Sequence, residues 1–455
     1  MRPFTYFRKN IIGIDQTFES PRGQQKLLYA DWTATGRAYR PIETALQEEI
    51  LPYIANTHTG NSFTGRKMTA AYETAKTIIK DHVHAGPDDV LLFCGSGMTA
   101  AVNKLQRIMG LRLPKWAKEK LIPEEAERPL VLVSHMEHHS NHISWLETIA
   151  TVEIVRPDAN GNVDLNHLEE LLTQYRRRKL KIAAVTACSN VTGIETPYYT
   201  IASIMHAHGG LCFVDFAASA PYVDIDMRHF DAIYFSCHKF LGGPGTPGVL
   251  LFNKRLYKND VPDQPGGGTL LYTNPWGARE YLDDIEQRED GGTPPILQAI
   301  KAGMCIRLKE EMGVANIKAR ETQLTKKLLE GLARIPSIQI LAGANTQRLG
   351  IVSFIVKNTH YNTAVQSLND RFGIQCRGGC SCAGTYGHFL LDIDAPRSYA
   401  ILDALKKGDH EAKPGWVRLS IHPTTTDAEI DCLIDEVDAV SCPTWQPLKL
   451  IMSSL

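Results

Sequence analysis

The sequence predicts an α/β fold, and three observations carry that prediction. Strand and helix patterns alternate from Val90 to about Phe252, as in a mainly parallel sheet covered by helices on both faces. A long helical stretch around Ala299 to Leu332 then leads to a second region, whose best strand is Ile351-Val352-Ser353-Phe354-Ile355-Val356. A chain of 455 residues with 43% hydrophobic and 22% charged side chains can fill and cover two sizeable cores. A large domain and a smaller C-terminal one are therefore expected, with no internal repeat or low-complexity segment.

The first element is an amphipathic helix marked by Met68, Ala71, Tyr72, Ala75, Ile78 and Ile79. Val90-Leu91-Leu92 reads as a buried strand, followed by Phe93-Cys94-Gly95-Ser96-Gly97. Ala101, Val102, Leu105, Ile108 and Met109 then return at helical spacing, so the glycines sit where a strand turns into a helix. Free N–H groups at such a start can hold a phosphate, although the turn lacks the full dinucleotide fingerprint and a Walker lysine. Arg176-Arg177-Arg178-Lys179, the one basic run, precedes the strand Ile182-Ala183-Ala184-Val185 and reads as a solvated helix end.

Leu211-Cys212-Phe213-Val214 is another buried-strand run, and Asp215 ends it in the apolar company of Phe216-Ala217-Ala218. A carboxylate placed there either protonates or meets a cation. Ala232-Ile233-Tyr234-Phe235 leads through Ser236-Cys237-His238 to Lys239, whose amine is expected in a desolvated pocket beyond the sheet edge. Burial disfavours the ammonium form, and a neutral amine can condense with an aldehyde. An acid beside a pyridinium nitrogen and an amine for an aldehyde are the requirements of pyridoxal phosphate. Taken singly, Lys239 also reads as a solvated loop charge and Asp215 as a turn cap. Gly266-Gly267-Gly268 and Gly291-Gly292, with Pro294-Pro295, mark loops near the end of the large region.

A formal net charge of −1 gives no general attraction to nucleic acid or anionic membrane. No stretch approaches membrane-spanning length, and Met1 to Asn10 carries charges without an apolar core of signal-peptide length, so a cytoplasmic protein is expected. Ten cysteines in a chain of this size do not form a disulfide framework; Cys188 and Cys212 lie in strand-like runs as small core residues. The cluster His138-His139-Ser140-Asn141-His142 lacks a completing acid or cysteine pattern, and Cys380 and Cys382 are too close for zinc-finger spacing, so no metal site is expected.

Four further segments fall in a recognisable order: Ser134-His135-Met136-Glu137-His138-His139-Ser140-Asn141, Cys188-Ser189-Asn190-Val191-Thr192-Gly193, Gly291-Gly292-Thr293-Pro294, and Arg377-Gly378-Gly379-Cys380-Ser381-Cys382-Ala383-Gly384. With the lysine segment, they resemble the cysteine desulfurase and selenocysteine lyase group of pyridoxal-phosphate enzymes, close to the aminotransferase class V pattern. The resemblance runs from about Leu28 to the C-terminal helices. The compact Arg-x-Gly-x-x-Cys loop resembles the type shared with selenocysteine lyases, and the Cys-x-Cys pair is also similar to the sulfurase domain of molybdenum cofactor sulfurases.

That resemblance implies fold type I of the pyridoxal-phosphate-dependent transferases, with a mainly parallel seven-stranded sheet and a smaller α+β domain. It implies a segment 1–28 packing with the small domain, a cofactor-binding domain over 29–300, a small domain over 301–455, and a homodimer with its sites at the subunit boundary. Lys239 resembles the lysine that carries the cofactor, with Ser236, His238 and the amides near Ser96 and Gly97 on its phosphate. Asp215 corresponds to the partner of the ring nitrogen, His138 to the ring-stacking histidine, and Asn190 to a polar neighbour of ring or substrate carboxylate. Thr293 resembles a residue reaching a phosphate across the dimer interface. Arg418 resembles the arginine that grips the substrate carboxylate, with Arg377 as a further substrate contact.

Cys382 stands at the family's thiol position, counted from Arg377, where it would take sulfur from L-cysteine as a persulfide and release alanine. Glycines at 378, 379 and 384 would make this loop mobile, and Arg377 or a nearby histidine would favour the thiolate. Cys380 is a second candidate, to relay or resolve a persulfide or merely to pack. Selenocysteine would react likewise, and a protein sulfur acceptor is a possible partner. Departures from the pattern stand at Ala218, where a glutamine is usual, at Gly97, where a hydroxyl is common, and in Asn56-Thr57-His58-Thr59-Gly60-Asn61-Ser62, where relatives often carry basic residues. The segment from Tyr386 to Gly415 is longer than expected. Two other readings remain: a pyridoxal-phosphate-dependent carbon–sulfur lyase or aminotransferase without a persulfide, and a non-catalytic sulfur carrier or interaction protein.

Overall fold

The computed structural model describes residues 2–57, 59–95 and 97–441. Its centre is a seven-stranded sheet in the order Asp89–Cys94, Gly248–Asn253, Ala232–Ser236, Leu211–Asp215, Lys181–Thr186, Leu130–Ser134, Thr151–Val155. The Gly248–Asn253 strand runs antiparallel to both neighbours and the other pairings are parallel. Every residue of Leu130–Ser134, Lys181–Thr186 and Ala232–Ser236 is buried, which explains the apolar runs between their polar end residues. Alternate residues serve opposite faces: Leu130, Leu132, Ala183 and Val185 enter one core, while Val131, Val133, Ile182 and Ala184 enter the other.

The second sheet has four antiparallel strands, Ile338–Ile340, Ile351–Val356, Trp416–Ser420 and Arg377–Gly379, in that order. Leu324, Leu328, Phe354, Leu368, Leu419 and Leu433 build its separate core against the flanking helices. The long helical stretch is two helices, Ile296–Met312 and Val314–Leu332, parted at Gly313, whose φ of 78° lies in the left-handed region. The first packs on Phe63–His82, where a Cβ on Gly303 would lie 3.1 Å from Ala75. Residue 300, the expected boundary, falls inside the first of these helices; Ile317 on the second still packs in the large core, and Leu324 is in the core of the small sheet.

The chain's beginning joins the two sheets. Leu28–Tyr29 pairs in parallel with Ile374–Gln375, and Ser420 N donates to Ala30 O at 2.7 Å. A few residues on, Gly36 N donates to His238 O at 2.8 Å, and a Cβ on Gly36 would lie 1.9 Å from Phe240 O. Residues 28–36 thus form a strap from the small sheet to the lysine segment.

The basic run departs from expectation. Arg178 is buried, donating from Nη1 to Arg128 O at 2.8 Å and from Nη2 to Glu125 at 2.9 Å. The helix before it ends at Gln174, so Arg178 belongs to a turn folded back onto the 125–128 segment rather than to a solvated helix end. Among the described residues no helix is long and apolar enough to cross a membrane.

Candidate active site

The carboxyl ends of the central strands and the edge of the small sheet enclose a cavity of about 440 Å³. This lies within the range of small-molecule sites. Lys239, Asp215, His138, Asn190, Gly97, Ser236, His238, Arg377, Cys382 and Arg418 all line it. Positions spread over more than three hundred residues therefore meet in one place.

Asp215 ends its strand, is 3% exposed, and accepts the Ala217 amide on Oδ1 at 2.8 Å. Desolvation pushes its carboxyl up to about 6, against the Ala217 hydrogen bond and the charge of Lys239, which pull it down. Lys239 ends a single 3₁₀ turn, Cys237–Lys239, after the Ala232–Ser236 strand. Desolvation pulls its amine down to about 8, with Asp215 opposing that fall and Arg418 and Arg377 adding to it. Burial also lowers His138 to about 3 and His238 to about 4, each with Lys239 adding to the effect. Both rings are therefore neutral at physiological pH.

Gly97 opens the helix Gly97–Ile108 with a φ of 61°, and a Cβ there would lie 2.9 Å from Ser236 Oγ. Ser236 Oγ accepts the Met98 amide at 2.7 Å. His138 caps the helix His139–Leu146, its Nδ1 accepting the Ser140 amide at 3.1 Å. Asn190 donates to Ser381 O at 2.7 Å, while its buried Oδ1 has no partner among the described residues.

The thiol loop is held from several sides. Cys382 O accepts the His139 amide at 2.7 Å, Gly384 N donates to His139 Nε2 at 2.8 Å, and Thr385 Oγ1 lies 3.0 Å from His142 Nδ1. Ser381 and Cys382 have φ of 52° and 56°, a left-handed pair without glycine. Cys382 is exposed and faces the cavity, whereas Cys380 is half-buried and lines a different, largely apolar cavity of about 300 Å³. Much of that second wall comes from the long segment, through Leu391, Ile401, Leu402, Leu405 and Pro414. Thr293 also lies apart, in a cavity of about 660 Å³ that shares Gly95 with the first and includes Asn56. Thr57 and Gly60 line yet another, and none of the described residues of the 56–62 segment lines the lysine cavity. Ser96 and His58 lie outside the described residues.

Several residues to which the sequence reading gave no role at the site belong to it. Asp31, on the strap, accepts from Arg418 Nη2 at 2.7 Å and from Arg377 Nε at 3.1 Å. Thr33, Thr186, Cys188 and Thr246 also line the cavity. Beneath them Glu137, 1% exposed, accepts from Ser134 Oγ at 2.5 Å, Thr186 N at 2.9 Å and Asn141 Nδ2 at 2.7 Å. Desolvation pushes Glu137 up to about 8, the hydrogen bonds opposing it, so it is largely protonated at neutral pH.

The donor set fits pyridoxal phosphate. A partly neutral amine, a buried carboxylate, a helix start with a glycine where a side chain would intrude, and the orphaned Asn190 Oδ1 face one space. Ala218 lines this space without a polar atom, as its departure from the usual glutamine requires.

The class-V aminotransferase profile matches residues 28–433. A probable cysteine desulfurase of Streptomyces coelicolor is 27% identical over 423 residues, covering 91% of this chain and 92% of its own. A probable cysteine desulfurase of Halalkalibacterium halodurans is 29% identical over 404 residues, covering 85% and 93%. Among solved structures, the apo cysteine desulfurase of Thermococcus onnurineus NA1 superposes with a TM-score of 0.78 at 25% identity, covering 97% of this chain and 98% of its own. The cysteine desulfurase CsdA of Escherichia coli gives 0.74 at 22% identity, with the same shares covered, and shows the shared fold. With the profile spanning both sheets and every wall of the lysine cavity, the chain belongs to the class-V aminotransferase family.

Proposed function

We propose that the protein is a pyridoxal-phosphate-dependent cysteine desulfurase that converts L-cysteine to L-alanine and retains the sulfur as a persulfide on Cys382. The observation that carries this reading is the exposed thiol of Cys382 opening into the cavity that holds Lys239 and Asp215. The cysteine desulfurases among its relatives and structural neighbours support it.

Lys239 would hold the cofactor, with Asp215 at its ring nitrogen, His138 along its face, and Gly97, Ser236 and His238 at its phosphate. The bound cofactor supplies an electron sink for charge developing at the substrate carbon. Arg418 and Arg377 receive the substrate carboxylate, which fixes the amino acid with its sulfur toward Cys382. Lys239, with its lowered basicity, moves the proton at the substrate α-carbon. The Cys382 thiolate attacks the substrate sulfur; an S–S bond forms, the C–S bond breaks, and the carbon fragment takes up protons to leave as alanine. Net, L-cysteine and one protein thiol give L-alanine and one protein persulfide. A protein acceptor would collect the sulfur in a cytoplasmic setting.

The reading includes a homodimer. Leu271, Tyr272 and Trp276, on the hairpin Leu270–Thr273 and Arg279–Tyr281, are 72%, 59% and 87% exposed in the single chain. Burial of such a patch suits a subunit interface on the side of the cavity lined by Leu270, Thr57 and Gly60.

Purified holoenzyme with L-cysteine is expected to yield alanine and a protein-bound persulfide. Cys382→Ser is expected to lose sulfur transfer and keep its cofactor. Pyruvate and ammonia instead, with Cys382→Ser unaffected, would establish a carbon–sulfur lyase. A colourless protein, with no pyridoxyl group fixed on Lys239 by borohydride, would establish a non-catalytic carrier. Selenocysteine as a parallel substrate sorts sulfur from selenium preference.

A further inference from the structure

Arg377 and Arg418 are register partners on adjacent antiparallel strands, so their two cationic side chains leave the same face of the sheet side by side. Like charges in that arrangement repel. Arg418 is also 2% exposed, where an unpaired cation is costly. Asp31 resolves both problems with one carboxylate. Its Oδ1 accepts from Arg418 Nη2 at 2.7 Å, and its Oδ2 accepts from Arg377 Nε and lies 3.1 Å from Arg377 Nη2. Arg418 Nη1 donates to Asn190 O at 3.0 Å, leaving Nε buried without a partner among the described residues. Asp31 is itself fixed: it bridges to Ser420 in the sheet, the Ser420 hydroxyl accepts the Thr33 amide at 3.0 Å, and Tyr29 Oη donates to Asp31 O at 3.2 Å.

One carboxylate among two arginines leaves a net single positive charge at the cavity wall, with both guanidinium planes set by the same acceptor. The unspent donors are Arg418 Nε, which is orphaned, and part of the Arg377 fork, on a side chain 45% exposed. Both arginines lower the Lys239 amine, which places their charge at the lysine end of the cavity.

We propose that Asp31 is a positioning residue, holding the opposed arginines as one receptor for the substrate's α-carboxylate and so selecting ligands that carry it. The proposal rests on the desulfurase reading for the identity of the substrate. Asp31 acts through the arginines, so its loss should weaken carboxylate binding and spare the chemistry. The test compares wild-type, Asp31→Ala and Asp31→Asn holoenzymes. Binding of L-alanine and of ethylamine, the same skeleton without the carboxylate, is measured by calorimetry, and turnover of L-cysteine by alanine release.

Asp31→Ala is expected to weaken L-alanine at least tenfold, leave ethylamine unchanged, and raise the KM for L-cysteine at least tenfold with kcat changed less than threefold. Asp31→Asn, which keeps one acceptor oxygen, is expected to fall between, and carries the same test if the alanine variant does not fold. Unchanged L-alanine binding in the variants, or an equal loss for L-alanine and ethylamine, overturns the proposal. A wild type that releases no alanine from L-cysteine would sink the desulfurase reading alone, since the L-alanine and ethylamine comparison still decides the role of Asp31.

Discussion

Lys239 provides the sharpest test of the site's electrostatics. Its amine falls from 10.5 to about 8, chiefly through desolvation. That fall corresponds to about 3 kcal/mol of lost preference for the ammonium form. At pH 7 about a tenth of the amine is neutral, against roughly one part in 3,000 for an ordinary lysine, so capture of an aldehyde should be several-hundredfold faster than at a solvated lysine. Apoprotein mixed with pyridoxal phosphate in a stopped-flow spectrometer should show a capture rate rising with pH and levelling above a midpoint near 8. Asp215→Asn removes the charge that holds the amine up, so its midpoint should fall further. The same burial acts on stability. The unfolded chain binds more protons than the folded one between about 8 and 10.5, so stability rises with pH across that window and the full cost is present below it. Lys239→Met should therefore stabilise the apoprotein by up to about 3 kcal/mol at pH 7, read from its denaturant midpoint. A capture midpoint near 10, or no gain from methionine, would refute the desolvated lysine and everything built on it.

Two more substitutions probe the scaffold. Gly97→Ala places a Cβ on a left-handed residue against Ser236 Oγ at 2.9 Å; the expected result is about 1–2 kcal/mol of destabilisation and faster loss of cofactor on dialysis. Arg178→Ala removes two part-buried hydrogen bonds and should cost about 1–2 kcal/mol in a denaturation curve, whereas exposed Arg176→Ala should stay within about 0.5 kcal/mol.

Asp215 was legible because it ends an apolar run and Lys239 because it follows one by a short turn, and a charged group at or just past the end of a buried strand has few places to go. Asp31 has the same signature, after Leu27-Leu28-Tyr29-Ala30, yet its partners Arg377 and Arg418 lie some three hundred and fifty or more residues away and only the folded strap brings them together. Arg178 was misread because a basic run gives no sign of which member a turn will fold inward. The separation of Cys380 from Cys382 was equally hidden. It depends on a left-handed pair at Ser381 and Cys382, where neither residue is a glycine that would have announced it. Thr293 lines a neighbouring cavity that shares only Gly95 with the lysine site, a separation that its sequence motif does not announce.

Cys382 is exposed and lines the lysine cavity, so on the proposed desulfurase reading substrate and sulfur acceptor would share one doorway. On that reading alanine would have to clear the doorway before a second molecule could collect the stored atom, so turnover should alternate between two half-reactions. Double-reciprocal plots at several fixed acceptor concentrations would then run parallel instead of converging.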